Sequence, residues 1–304
     1  METYHEGAVA VMSPDGELIA RCGDIDRPFF LRSAAKPFQA AISQQEGAGL
    51  LPAELALATA SHDGHPTHVA IVESMLGSVD LDASHLGCPP SWPLSVEAGR
   101  RYQALGFTDP RREWHNCSGK HAAWLRACVA RDWLLEGYLS PEHPLQAKVI
   151  DYVSELGGFA VTPVGVDGCG APVLRTTTRV MALLYARLAD LSELRQVYTS
   201  MHRYPALVSG TGNGDASITT AIDAVAKRGA GGCIGVAIGR QLGVAVKAWD
   251  GAQEVAESAL VSTLIALGML PRYASQVLAS VARPPVLGGG RQVGELEPRV
   301  QLEW

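Results

Sequence analysis

The chain has 304 residues, of which 47% are hydrophobic and 18% are charged, and its formal net charge is −6. This is the length and composition of a folded globular protein with an ample core, and the acidic balance gives no reason to expect a nucleic-acid partner. No apolar run approaches the roughly 18 residues of a membrane span and the start lacks a signal-peptide pattern, so we predict no membrane partner and a cytoplasmic location.

Two β-type runs open the chain, GAVAVMS and ELIARCGD, and the turn signal PDG between them predicts a hairpin. From the stretch FLRSAAKPFQAAI to about residue 160 the pattern is mostly helical. Apolar residues recur there at three- or four-residue spacing in five segments with proline or glycine at their ends. These segments are PAELALATAS, PTHVAIVESML, EAGRRYQALG, KHAAWLRACVARDW and PLQAKVIDYVSELGG.

The second half of the chain adds strands to this helical pattern. AVTPVGVDGCGAP predicts a strand that runs into a glycine-rich turn, and two helices are predicted near 179–189 and 192–202. GCIGVAIGRQLGVAVKAWDG predicts a second hairpin, a long helix follows over about 252–267, and PPVLGGGRQVGELEP predicts a final strand pair.

Strands at both ends and helices in the middle predict an α/β fold of the α+β type. We expect a mixed or antiparallel sheet built from both chain ends, flanked by helices, with a helical lobe inserted. The chain would form a single catalytic unit of two lobes. The sheet lobe would comprise approximately residues 1–60 and 160–304, and the helical lobe approximately residues 61–159.

Ser33 and Lys36 form a candidate nucleophile–base pair. Residues three apart share one face of a helix, and Pro37 is tolerated only in the first helical turn, so Ser33 lies at or just before the helix start. A lysine activates a serine only when neutral, and lowering its pKa by about three units costs on the order of 4 kcal/mol. Burial and a second cation supply such a shift. A helix-capping serine beside a solvated lysine is the alternative.

Further motifs could complete this pair. ATASHDGHPTH places Ser61 and His62 just before a glycine break, where the serine can face a cavity. Lys227 begins a K-x-G sequence like that of the penicillin-recognising serine enzymes, although a surface turn would explain it equally well. His62, His65 and His68 straddle a glycine and a proline, and we predict no shared ligand for them.

The six cysteines are predicted to be reduced thiols or metal ligands. In HNCSGKHAAWL, Cys117 lies at a helix start, where a thiolate is favoured, and Lys120 follows one turn later. VDGCGAP places Asp167 and Cys169 in a tight turn. Two such cysteines bind zinc if other ligands complete the set, and buried inert thiols are the alternative.

Six segments together resemble the rhizobial-type L-asparaginase family, which is distinct from the threonine-dependent bacterial and the Ntn plant-type asparaginases. They lie in the family's order between about residues 8 and 298: RSAAKPFQA, SHDGHPTHV, NCSGKHAAWL, VDGCGAP, KRGAGG and PVLGGGRQVGELEP. The resemblance implies a fold similar to serine β-lactamases and glutaminases. It also implies hydrolysis of L-asparagine to L-aspartate and ammonia, and a homodimer.

The resemblance further implies the roles of individual residues. Ser33 would pair with Lys36 and Ser61 with Lys227 as the catalytic residues, with Lys247 as the alternative second lysine. A zinc ion would be held by Cys117, Lys120, Cys169 and a water molecule. Substrate binding would involve Arg32, His62 and Asp167. The family tends to have glutamate where this chain has His65 and Gly231.

The predicted mechanism begins with Ser33, deprotonated by Lys36, attacking the side-chain amide carbon of asparagine. Backbone N–H groups near the helix start would stabilise the oxyanion. Ser61 and Lys227 would relay a proton to the departing ammonia, and water would then hydrolyse the β-aspartyl ester.

Two other functions are compatible with the sequence. One is a serine amidase, esterase or peptidase of the same fold with a different substrate, and the other is a non-catalytic binding protein with a structural zinc. The glycine-rich segment SGTGNGDAS, residues 209–217, lacks the lysine of a phosphate-binding loop, so a nucleotide enzyme is not expected.

Overall fold

The computed structural model describes residues 3–162 and 164–304. In these ranges the strands form one five-stranded sheet and three two-stranded sheets. The strands are β1 (Gly7–Met12), β2 (Leu18–Cys22), β3 (Phe29–Phe30), β4 (Gly165–Val166), β5 (Pro172–Val173), β6 (Arg175–Thr176), β7 (Ala224–Gly229), β8 (Cys233–Ile238), β9 (Leu242–Ala248), β10 (Pro285–Gly288) and β11 (Arg291–Glu295).

The main sheet joins the two ends of the chain. Its strand order is β2-β1-β9-β8-β7, and every neighbouring pair is antiparallel. The direct pairing of β1 with β9 confirms the predicted sheet built from both chain ends. Strand β8 is buried along its whole length, which explains why its sequence is almost continuously apolar instead of alternating.

The helices cover both faces of this sheet and form a separate helical layer. They are α1 (Lys36–Gln45), α2 (Pro52–Ala58), α3 (Pro66–Gly77), α4 (Val96–Ala104), α5 (Ser118–Ala130), α6 (Pro144–Gly157), α7 (Thr178–Asp190), α8 (Arg195–Arg203), α9 (Pro205–Ser209), α10 (Gly214–Ala221), α11 (Gln253–Ala266), α12 (Arg272–Val277) and α13 (Ala279–Ala282). Short 3₁₀ segments lie at Arg32–Ala35, Ala83–His85 and Ser192–Leu194. Within the described ranges, none of the helices combines the length and apolarity needed to cross a membrane.

Two helices seal the main sheet from opposite sides. Helix α7 packs on β1, β8 and β9, and α11 packs on β8 and β9. On the face covered by α7, the side chains of the sheet pack into the same core as the helical layer. On the face covered by α11, they form a second core. Because both faces are covered, a group placed between α7, β7 and the helical layer is removed from water.

Helix α5 is the centre of the helical layer. Helices α1, α2, α3 and α6 all contact it, and Trp124 on α5 is completely buried. Helices α1 and α2, which the predicted boundaries assign to the sheet lobe, therefore pack against a helix of the other lobe. The start of α1 thus lies where sheet and helical layer meet.

The final strand pair differs from its prediction, and two further segments gain a definite secondary structure. The final strand pair forms as β10 and β11, but it is an exposed two-stranded sheet that does not join the main one. Lys227 precedes the β8–β9 hairpin as expected, and it lies inside strand β7 and not in the surface turn considered as the alternative. The glycine-rich segment 209–217 contains the start of α10. Part of the predicted strand in AVTPVGV falls on Pro163, which lies outside the described residues.

Gly243 permits the close approach of α7 to β9. A Cβ atom at this position would lie 2.0 Å from the Ala182 carbonyl oxygen and 2.2 Å from the Ala186 nitrogen. Both are backbone atoms of α7, so no side-chain rotation relieves the clash.

We therefore expect Gly243→Ala to lower the free energy of unfolding by about 3 kcal/mol, because the helix must move off the sheet. Gly99→Ala is the matched control, since a Cβ there has nothing within 4 Å and Gly99 is inside helix α4. The control should be neutral or stabilising by up to about 1 kcal/mol. Chemical denaturation of both variants measures this, and equal stabilities would contradict the packing account.

Candidate active site

Ser33 lies in a 3₁₀ turn immediately before helix α1. The Lys36 N–H donates to the Ser33 carbonyl, and Pro37 occupies the first turn of α1, where its missing N–H is harmless. Side chains at positions i and i+3 of a 3₁₀ turn eclipse each other. Ser33 and Lys36 therefore project from the same side of the chain. Ser33 is partly exposed, whereas Lys36 is only 1% exposed.

Ser61 lies between two buried lysines. Lys36 Nζ donates to Ser61 Oγ at 3.0 Å and also to the Ala60 carbonyl, and Lys227 Nζ lies 3.3 Å from the same hydroxyl. Ser33 Oγ has no hydrogen bond to any part of the chain that the structure describes. The hydroxyl of Ser61 thus connects the two amines, while the hydroxyl of Ser33 is free for a ligand.

The pKa values of Lys227 and Lys247 are both lowered, in each case chiefly by burial. Burial lowers the pKa of Lys227 to about 8, the carboxylate of Asp215 opposes the shift, and the nearby charge of Lys36 adds to it. Lys247, the alternative second lysine, donates instead to the carbonyls of Gly231 and Ala248. The structure therefore brings Lys227 to Ser61 and places Lys247 elsewhere.

Arg32 and Asp167 form an ion pair beside the Ser33 turn. Arg32 Nη2 lies 2.9 Å from Asp167 Oδ1. Arg32 has a φ of +51°, a left-handed conformation that a non-glycine residue adopts only at a cost. Asp167 lies in the tight turn between β4 and β5, where its N–H donates to the Ala171 carbonyl. This pair links the turn of Ser33 to the turn that contains Cys169.

The three residues proposed as zinc ligands converge in the interior. Cys117 directly precedes α5, Lys120 is in its first turn, and Lys120 Nζ lies 3.3 Å from Cys169 Sγ. All three are at most 5% exposed. A hydrogen bond with Cys169 holds the pKa of Cys117 well below its ordinary value despite burial.

These donors suit zinc chemically, because thiolate sulfur and nitrogen are its preferred ligands. No cluster of three or more histidine, cysteine or acidic residues within 3–162 and 164–304 is arranged to hold a metal ion. A metal ion bound by the two thiols would therefore need the lysine amine as its third donor. Burial acts to lower the pKa of Lys120, but Cys169 and Cys117 outweigh it and raise the pKa. Binding of a metal ion would have to displace that proton.

His62 is completely buried and fully hydrogen-bonded. Its Nδ1 accepts from the Gly64 N–H, its Nε2 lies 2.9 Å from Ser118 Oγ, and Ser118 Oγ donates to the Glu113 carbonyl. This chain of bonds is consistent with a neutral ring that carries its proton on Nε2. Burial, together with His68, lowers the pKa of His62 well below its ordinary value. Neither ring nitrogen is left for a substrate, and His62 instead fastens the Ser61 loop to α5.

A polar cavity of about 640 Å³ lies next to the cluster of Lys36, Ser61 and Lys227. Asp63, which follows Ser61 by two residues, and Arg228, which follows Lys227, both line it together with Ser209. Burial alone would raise the pKa of Asp63, but the neighbouring His68 holds it low. The cavity is large enough for a small polar molecule.

Two residues that the sequence did not single out hold Lys227 and the turn of Ser33 in place. Asp215, in the first turn of α10, lies 3.5 Å from Lys227 Nζ through its Oδ2 and is completely buried. The Tyr185 hydroxyl donates to the Ala34 carbonyl at 2.9 Å and lies 3.5 Å from the Lys227 carbonyl. An acidic residue after NG is a signal for a helix start, whereas nothing in the sequence distinguishes Tyr185 from an ordinary core residue.

Fold and site together define a mixed α/β protein. Ser33 lies at the start of helix α1, Ser61 contacts both Lys36 and Lys227, and these residues lie where the sheet joins the helical layer. A family model described as L-asparaginase II matches residues 1–298. The chain belongs to the L-asparaginase II family, and an asparaginase is an amidohydrolase. The predicted membership of an asparaginase family is confirmed. No match is found among curated proteins.

Several solved structures are similar to this chain. Mglu in its glutamate form is 16% identical, with a TM-score of 0.49 over 87% of this chain and 61% of that one. A Bacillus glutaminase is 12% identical with a TM-score of 0.33, over 81% and 84% of the two chains. The probable glutaminase ybaS is 14% identical with a TM-score of 0.35, over 80% and 78%. The chain spans 60% of the length of another Mglu structure, which was determined in 4.3 M NaCl. At these TM-scores the likeness carries no weight for function.

The free-energy cost of the left-handed backbone at Arg32 can be measured by comparing two variants that both remove the guanidinium. Arg32→Gly should be more stable than Arg32→Ala by about 1 kcal/mol, because glycine adopts a positive φ without cost. Arg126 provides the matched control, since it pairs with Glu54 at 2.9 Å from within helix α5. There the order should reverse, with alanine more stable by about 1 kcal/mol. Thermal unfolding measures both pairs, and equal stability of the two Arg32 variants would contradict the strain.

Proposed function

We propose that this protein hydrolyses the side-chain amide of L-asparagine and releases L-aspartate and ammonia. The observation that supports this best is the buried chain of Lys36, Ser61 and Lys227, which lies one turn from the free hydroxyl of Ser33. Membership of the L-asparaginase II family supports an amide as the substrate. A serine flanked by amines provides both the base and the acid that amide cleavage needs.

The first step makes Lys36 neutral. When Lys227 is unprotonated, a proton moves from Lys36 through Ser61 Oγ to Lys227, over contacts of 3.0 and 3.3 Å. Two ammonium groups beside one hydroxyl repel each other, which favours a single proton shared by the pair. The pKa of Lys227 near 8 makes this the amine that can start unprotonated close to neutral pH.

Ser33 then attacks the amide carbon and gives its proton to Lys36. A C–O bond forms, the C–N bond breaks, and the nitrogen leaves as ammonia with a proton from Lys227 delivered through Ser61. The lysines have then returned to their starting protonation, and Ser33 carries a β-aspartyl ester. Water attacks this ester by the same path in reverse, which releases aspartate and restores the Ser33 hydroxyl.

Arg32 and Asp167 offer the opposite charges that recognise an α-amino acid. We assign the α-carboxylate of the substrate to Arg32 and its α-ammonium to Asp167, so that both would exchange their mutual ion pair for contacts to the substrate. His62 has a positioning role in this proposal, because both its ring nitrogens are engaged within the protein.

Cys117, Lys120 and Cys169 would hold a zinc ion, with water as the fourth ligand. A bound zinc with an open position polarises a carbonyl or lowers the pKa of its water. The chain's own contribution is a dry pocket in which two sulfur atoms and an amine already converge. A small-molecule substrate, a homodimer and a cytoplasmic location remain part of the proposal.

Replacing serines separates the roles of the two hydroxyls. Ser33→Ala should reduce ammonia release from L-asparagine by at least about 10³-fold, because the nucleophile is removed. Ser61→Ala should reduce it by about 10²- to 10⁴-fold through loss of proton transfer. Ser43→Ala is the control, since Ser43 is buried in α1 and its hydroxyl donates only to the Gln39 carbonyl.

The same assay decides between the alternatives. Retained turnover in Ser33→Ala with loss in Ser61→Ala would transfer the nucleophile role to Ser61. A panel of amides and esters distinguishes asparagine hydrolysis from a related activity on another substrate. A lack of turnover on the whole panel, with no acylation of Ser33, would favour the binding-protein alternative.

Zinc binding is tested by replacing one thiol. Cys117→Ser should lose most of the zinc measured by elemental analysis of purified protein, because a hydroxyl is a far weaker zinc ligand than a thiolate. Cys128→Ser is the control, because Cys128 is a buried thiol on the same helix that packs in the core. Unchanged metal content in Cys117→Ser would reject the site.

A further inference from the structure

Asp215 is an ionisable group that the proposed mechanism does not use. It lies in helix α10 (Gly214–Ala221) and its side chain is completely inaccessible to solvent. Burying a carboxylate without partners costs several kcal/mol, so such residues are retained where they hold another group. The contacts of Asp215 show which group it holds.

The carboxylate is directed at strand β7. Its Oδ2 atom accepts a hydrogen bond from the Arg228 N–H at 3.2 Å and lies 3.5 Å from Lys227 Nζ. Its Oδ1 atom accepts from the Ala216 N–H at 3.1 Å. One oxygen therefore holds the strand backbone and the lysine amine together, and the other is fixed by the start of its own helix.

Lys227 Nζ has two further contacts, to the Arg228 carbonyl at 3.1 Å and to Ser61 Oγ at 3.3 Å. The carboxylate, the carbonyl and the hydroxyl together surround the amine. Because a lysine side chain has four rotatable bonds, its direction depends on such partners. Without Asp215 the amine would retain only neutral partners.

We propose that Asp215 is a positioning residue whose buried carboxylate anchors the amine of Lys227 against Ser61. The inference rests on the proposed function, because it assigns Asp215 a part in the same proton transfer. Asp215 does not reach the reacting atoms and acts only through Lys227.

Asp215 also opposes the groups that lower the pKa of Lys227. Lys36 on α1 and Arg228 on the same strand are positive, and burial disfavours the charged amine. Cys233 on β8 and Tyr185 on α7 face the region as neutral groups, since burial raises the pKa of both. Glu257 on α11 lies one step further away, 4.0 Å from Arg228 Nη1. Asp215 is therefore the nearest negative charge to this amine.

Loss of the Asp215 charge should shift the pH dependence of the reaction rate toward acid. Removing the negative charge removes the influence that raises the pKa of Lys227, so the amine loses its proton at lower pH. Since the reaction starts with Lys227 unprotonated, the rising limb of the pH–rate profile moves in the acidic direction. At the same time the amine is less well held, so the maximal rate falls.

We therefore expect Asp215→Asn to shift the midpoint of the rising limb by about one to three pH units toward acid. It should also reduce kcat by about 10- to 100-fold, as loss of an orienting partner does at other sites, with little change in KM. Asp215→Glu, which keeps the charge, should retain the midpoint near that of the unmodified protein. A purely structural role would lower activity at every pH without moving the midpoint.

Glu257→Gln is the matched control. Glu257 is a largely buried carboxylate of the same cluster, but it pairs with Arg228 and Gln253 and does not contact Lys227. Its removal should leave the midpoint within a few tenths of a pH unit. An unshifted midpoint in folded Asp215→Asn, or an equal shift in both variants, would overturn the proposal.

A second measurement is independent of catalysis. NMR titration of lysine-labelled protein, assigned with Lys227→Met, follows the protonation of Lys227 directly, and its midpoint should fall in Asp215→Asn. If no amide is hydrolysed, the proposed function fails while this titration still decides the role of Asp215. If Asp215→Asn does not fold, the double variant D215N/K227M should be more stable than either single variant, and equal instability would refute the pairing.

Discussion

The structure depends on the burial of two amines beside one hydroxyl. Lys36 and Lys227 are 1% and 0% exposed, and both contact Ser61. A buried ammonium is tolerated only when it is paired and hydrogen-bonded. Each amine therefore has a carbonyl acceptor, Ala60 for Lys36 and Arg228 for Lys227, and Asp215 supplies one carboxylate. Burial is the main cause of the reduced pKa of Lys227, the charge of Lys36 adds to it, and the one carboxylate of Asp215 opposes it only in part.

The fold satisfies this requirement by joining three distant segments at the edge of the main sheet. Strand β7 supplies Lys227 and lies directly against the turn of Ser33. A Cβ at Gly229 would be 2.5 Å from the Leu31 carbonyl oxygen and 3.1 Å from the Ala34 nitrogen. The Ser61 N–H donates to the Val208 carbonyl, which fixes the second serine between the same elements. Glycine at position 229 thus sets the separation between strand and turn.

The local elements and the joining of both chain ends in one sheet could be predicted from the sequence, whereas the strand order and register could not. The Ser33–Lys36–Pro37 spacing determines a helix start, and the two hairpins follow from turn signals and apolar runs. The register of β1 on β9 relates residues more than 200 positions apart, and hydrophobic periodicity within each strand does not encode it. The exposed β10–β11 pair has the same apolar and glycine pattern as a sheet strand, so its separation from the main sheet has no sequence signal. Helix α10 was not predicted, because the glycines before and at its start favour a loop.

Two buried lysines with opposite pKa shifts show how partners decide the state of an amine. Lys227 and Lys120 are both inaccessible, so burial disfavours their charged forms alike. Lys120 faces two thiols, one with its pKa far below the ordinary value, and its own pKa is raised. Lys227 shares one carboxylate with Arg228 and is repelled by Lys36, and its pKa falls to about 8. Local charge balance therefore separates the amine of Lys227, which exchanges a proton near neutral pH, from that of Lys120, which holds its proton until a metal ion displaces it.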